Sequence, residues 1–112
     1  MAAGQTITIQ LDPTTNGFVV SGSLTFADIL GTGLTPVSGC GVGADEVTVG
    51  FTNDPDVITL TACDPIVAGA KVLTFINNRI TNPATPGSYI VRIAGTQTDR
   101  GDTRVAVVNQ VT

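Results

Sequence analysis

Eight aspartates, Glu46, Lys71, Arg79, Arg92, Arg100 and Arg104 are the chain's entire stock of charged side chains, and histidine is absent. The commonest base for a serine or cysteine nucleophile is therefore missing, as is the commonest metal ligand. Paired carboxylates alone can hydrolyse glycosides. Here the aspartates fall almost entirely in turn-forming stretches, where Asp is favoured for its local hydrogen bonds. The glycine-rich "GCGVG" has neither the lysine nor the following helix of a phosphate-binding loop. The residue inventory argues against an enzyme. Calcium is the remaining chemistry, because loop carboxylates bind it readily. "NDPD" offers Asn53, Asp54 and Asp56, "CDP" offers Asp64, and "TDRGD" offers Asp99 and Asp102. Calcium needs six to eight oxygens from converging loops, so a structural ion depends on where the fold takes these residues. No other cofactor is expected.

Arg100-Gly101-Asp102 has the letters of an adhesion signal of animal matrix proteins. Turn chemistry gives the same letters: Gly101 where a tight hairpin needs positive φ, with Asp99 and Asp102 as favoured turn residues beside it. The stretch is expected first as an exposed bend closing the last hairpin. Adhesion through Arg100 and Asp102 is the second reading.

Cys40 and Cys63 allow one intramolecular pairing. Two buried free thiols would suit a cytosolic protein. The flanks "SGCGVG" and "TACDP" are turn-rich, as in small secreted domains, and favour a disulfide. Such a link, closing a loop of some two dozen residues, stabilises by about 3 kcal/mol in the chain-entropy view. Neither a redox CxxC nor metal-ligand spacing is present.

The elements that must position these residues are strands. Only 12% of the 112 residues are charged, about half the usual share, and 18 threonines fill the gap. β-Branched side chains lose freedom in helices and sit well on pleated surfaces. Alternation of period two runs nearly end to end. "TITIQLD" places Ile7, Ile9 and Leu11 on one face, and "FVVSGSLTF" follows with a break or bulge at Gly22 and with Leu24 and Phe26 in register. "EVTVGFT", "VITLTA", "KVLTFINNRI", "SYIVRIAGT" and "RVAVVNQV" read as further strands. Residues 27–44 are the least regular, with one short strand near Leu34 to Val37. Seven to nine short strands joined by turns predict an all-β fold, an antiparallel two-sheet sandwich first and a closed barrel second. The first and last strands are the expected edges, available for pairing with copies of the chain or neighbouring domains.

The net charge of −4 and the scattered cations leave no electrostatic footprint for nucleic acid. No apolar run approaches the ~20 residues of a membrane span. "MAAGQTITIQ" leads almost directly into a strand, so residues 1–112 read as one mature or excised domain with Met1 as an expression start.

"ITNPATPGSYIVRIAGT", residues 80–96, together with "TITIQLDPTTNG" and "VAGAKVLTFI", resembles the immunoglobulin-like sandwich modules of bacterial and archaeal cell-surface proteins. The matching pieces cover roughly a third of the chain; the cysteine pair and the glycine-rich middle lie outside the pattern. The resemblance implies an extracellular, non-catalytic structural module acting as spacer, assembly unit or adhesin. Within it, Asn82-Pro83 and Pro86-Gly87 would fix a corner, and Tyr89 would pack its ring and send its hydroxyl to backbone. A carbohydrate- or receptor-binding module is the alternative. It would be favoured by an exposed Phe18 or Tyr89.

Overall fold

The computed structural model describes residues 1–11, 17–52, 56–97 and 101–107, the last six of these by their backbone alone. Among these described residues, ten strands and one 3-10 turn follow in order: β1 (Thr6–Leu11), β2 (Val19–Val20), the turn Phe26–Asp28, β3 (Ile29–Thr32), β4 (Thr35–Val37), β5 (Glu46–Thr52), β6 (Val57–Ala62), β7 (Val72–Phe75), β8 (Ile80–Thr81), β9 (Gly87–Gly95) and β10 (Gly101–Val107). The protein is all-β. A six-stranded sheet has the order β10-β9-β1-β6-β5-β4, and two ribbons, β2-β8 and β3-β7, supply a core-facing side of their own.

Period-two alternation sets the inner face of the large sheet. Ile9 stands between Ile58 and Ile93, and Ile7 between Leu60 and Gly95. The next residue, Thr8, faces the other way, between Thr59 and Ala94. Ile58, Leu60 and Val47 are completely enclosed. They share one core with Phe18, Val20, Leu24 and Ile29 from the ribbon side. Each such aliphatic side chain stabilises the fold by about 1.5–3 kcal/mol relative to exposure.

Several expectations are corrected by the pairing. The sheet is mixed, not wholly antiparallel: β4 and β5 run parallel, with Thr35 opposite Glu46 and Val37 opposite Thr48. Because β4 has only three residues, the eight residues 38–45 are enough to bring the chain back to the start of β5. β1 is a central strand, not an edge; the edges are β4 and β10.

"KVLTFINNRI" is two strands, β7 and β8, separated where Asn77 and Asn78 take left-handed φ of 63° and 54°. Asn tolerates that region better than other side-chain-bearing residues. The opposing chain accommodates the break. Ser21 N–H donates to Arg79 O and Ile76 N–H to Asp28 O, so residues 22–27 must loop out against Asn77 and Asn78 alone. The excess is wound into the 3-10 turn. Phe26 therefore leaves the strand register and lies 38% exposed, whereas Leu24 stays in the core.

From β3 the chain crosses to the large sheet through Gly31, Thr32 and Gly33. A side chain on Gly31 would collide with the backbone carbonyl of Leu34, and Gly33 has a φ of +77°. Leu34 is buried at the crossing.

Candidate functional site

Among the described residues, the candidate calcium ligands Asp56, Asp64 and Asp102 lie apart. Asp56 immediately precedes β6 and Asp64 follows it by two positions, so the strand's own length, about 20 Å for six residues, separates them. Asp56 is buried, and its carbonyl accepts from the Leu11 N–H. Asp102 lies in β10, three strands away from β6, opposite Arg92. Asp54 and Asp99, with Asn53, lie outside the described residues. Among the described residues no three carboxylate or cysteine side chains group as a metal site.

The Arg-Gly-Asp stretch is also placed differently from expectation. Gly101 pairs with Ile93 and Asp102 with Arg92, so two of the three residues belong to the ladder, not to an exposed bend. Arg100 lies outside the described residues. The conformation that needs glycine in this hairpin falls at Gly95, with φ +117°, where a Cβ would sit 2.2 Å from the Thr6 carbonyl oxygen. Past Gly95 the chain is tied to β1: the Thr96 and Gln97 N–H groups both donate to Thr6 O, and the Thr6 N–H donates to Thr96 Oγ1 at 2.8 Å.

The cysteines do form a disulfide, with a Cα–Cα distance of 5.5 Å and a sequence separation of 23. It joins the 38–45 return to the end of β6. Beside it the Cys63 N–H donates to Glu46 O, and the Gly41 N–H donates to Glu46 Oε1 at 2.8 Å. The link ties the return loop before β5 to the stretch that follows β6.

Among the described residues the most enclosed charge is Asp28, which the sequence does not single out. It closes the 3-10 turn at the break in the ribbons, where its side chain is only 4% exposed. Asn77 Nδ2 donates to Oδ1 at 2.8 Å, and the Thr25 N–H donates to Oδ2 at 2.9 Å. Arg79 Nε stands 3.3 Å from Oδ2, within ion-pair range but outside hydrogen-bond geometry. Hydrogen bonds from Asn77 and then Thr25 hold the Asp28 carboxyl below its ordinary pKa, with Arg79 adding to them against the opposing effect of burial. A carboxylate so held is a weak base, and its oxygens are occupied; it fastens the two ribbons where their ladder is interrupted. The sequence does carry part of the signal, since Thr25 and Asp28 have capping-box spacing.

An open cleft of about 310 Å³ runs beside the start of β1. Ile7, Leu34 and Ile66 form its apolar side and Gln5, Lys71 and Gln97 its polar side. Lys71 Nζ donates to the Val67 carbonyl at 2.7 Å, and the Met1 amino group to the Ile66 carbonyl at 2.8 Å. Both cations are thereby directed at backbone.

The aromatic residues are mainly core-directed. Phe18 is buried and meets the half-buried Tyr89 edge to face, with ring centroids 5.8 Å apart. The Tyr89 hydroxyl donates to Thr85 O at 2.6 Å, four residues upstream, as the corner reading expects. No protein-family model, curated protein or solved structure matches the chain.

Proposed function

We propose that this chain is a non-catalytic extracellular module of a surface or secreted protein, a spacer, assembly unit or adhesive unit built as an immunoglobulin-like sandwich. The observation that carries the reading is the Cys40–Cys63 disulfide, placed where it fixes an irregular return loop to the large sheet. Disulfides persist in oxidising compartments, and small domains exposed there use them to supplement a limited core. The sparse charge, the threonine-rich outer face and the Tyr89 corner support the same reading. The ordered positions of the site residues support it too: Asp28 serves the ribbons, Asp102 stands in a ladder, and Asp56 and Asp64 lie at opposite ends of one strand.

The test is to measure unfolding and protease resistance of the oxidised chain with calcium, with chelator, and in the presence of soluble polysaccharides. The expected outcome is one and the same midpoint throughout. A midpoint raised in a saturable manner by a polysaccharide would move the assignment to a binding module, with the exposed Phe26 and the cleft at Lys71 as first places to look. A midpoint lowered by chelator would assign a structural calcium.

A further inference from the structure

We infer that β10 is a self-pairing edge, and that two copies of the chain join it antiparallel about a twofold axis at Thr103 to make one continuous sheet. The inference rests on the proposed structural role and names the partner, a second copy of this chain.

The two edges of the six-stranded sheet are unequal. Along β4, the Thr35 N–H donates inward to Asp45 O, so by strand alternation Pro36 presents its backbone outward. Pro36 has no N–H to give, and the strand is three residues long. That edge is blunted in the way natural sheets avoid association. β10 has seven residues, no proline, and among the described residues β9 as its sole neighbour. Its outer row of N–H and C=O groups is a template for another strand.

Charge selects the second strand and its register. In "GDTRVAV" the ionic residues are Asp102 and Arg104, which share one face by alternation. Antiparallel pairing of β10 with a second β10 keeps the faces matched only when the numbers of opposed residues sum to an even value. A sum of 204 opposes Asp102 to itself, and 208 opposes Arg104 to itself; like charges directly opposite are destabilising. The sum of 206, centred on Thr103, opposes Asp102 to Arg104 twice over. The same pairing sets Gly101 against Val105. In its own sheet Arg104 stands opposite Ile90, so no charge on β9 is directly across from it. Asp102 stands opposite Arg92, which extends the alternation of charges as Arg92, Asp102 and the second copy's Arg104.

Sedimentation equilibrium over a wide concentration range tests the inference. The expected result is a monomer–dimer equilibrium whose dissociation constant rises about tenfold or more in Arg104→Asp. Asp102→Arg should weaken self-association likewise, and a mixture of the two variants should restore the dimer, since each then supplies the charges the other lacks. Unfolding midpoints of both variants check that they fold. As a second measurement, Thr103→Cys should yield a covalent dimer on mild oxidation and Val105→Cys should not. A chain monomeric at every concentration overturns strand pairing while leaving the spacer reading intact. A dimer indifferent to Arg104→Asp, or one cross-linked as readily at 105 as at 103, overturns the register.

Discussion

The β4 and β10 edges of one sheet are finished by opposite means. At β4 the chain is short and parallel to its neighbour, carries a proline, and is followed by a loop covalently fixed to the end of β6. At β10 the strand is long and antiparallel, and its hairpin is held to the sheet by the β1–β9 ladder, which Thr96 and Gln97 prolong through their bonds to Thr6. The difference teaches that irregular backbone and open backbone need different remedies. A loop that makes few ladder bonds requires a staple. A regular strand is held by its own ladder and then leaves an edge to be governed by charge.

The largest expected effect comes from removing the staple. Cys40→Ala with Cys63→Ala should lower stability by about 3 kcal/mol, read from urea unfolding of variant and oxidised parent. The loss should fall chiefly on the β4 side, seen as faster hydrogen exchange at β4 and β5 than at β9. Uniform acceleration over both edges would erase the distinction between them. Gly95→Ala should come next, at about 2 kcal/mol, because a non-glycine residue at φ +117° is strained and its Cβ meets Thr6 O. Its exchange signature should be the reverse, centred on β1, β9 and β10.

Pro36→Val is a smaller change, expected within about 1 kcal/mol of the parent. It returns a donor to the outer side of β4, yet three residues are too few to hold a second chain, so the association constant should not move. New association in Pro36→Val would show that proline, more than strand length, closes that edge. The smallest effect on the contrast between the two edges is expected of a change remote from both. The Asp28 carboxyl has its pKa depressed in the folded state, so its contribution is present above the ordinary carboxylate pKa and is lost as pH falls through the range below it. Asp28→Asn should flatten the decline of stability with acid in that range. It should leave the relative protection of β4 and β10 unaltered.

Much of the sheet was legible because three of its strands, β1, β5 and β6, obey one rule, and Ile9 and Leu11, placed on one face by alternation, lie in the core with Val47, Ile58 and Leu60. β9 departs from it, since Ile93, opposite Ile9, is 43% exposed. The disulfide was legible too, since turn-forming residues flank both cysteines. Partner choice was not. Nothing local in "TITIQL" says that it lies between β6 and β9, because its neighbours arrive from distant sequence. Nor could β4 be recognised as parallel, since its direction is set by the length of the return loop and not by its three residues. Little in the sequence sets Asp28 apart from the other aspartates, because Asn77, its principal partner, is 49 positions away. The ribbon break is only half legible for a related reason: "KVLTFINNRI", with apolar residues on both faces, reads equally as one central strand or as a strand with a bulge, and the two left-handed asparagines decide between them.

The central place of β1 also governs the order in which the molecule can be made. Ile7 must wait for Leu60 on one side and for Gly95 on the other, and the second of these lies 88 residues later. At ribosomal speeds that interval is roughly 4–18 s, far longer than a hairpin needs to form. During it, the β5–β6 hairpin can close by itself, whereas the strand that will become the middle of the sheet has no mate on its β9 side. Folding of this topology is accordingly expected to be governed by a single late closure of long sequence separation, in the slow class of small domains.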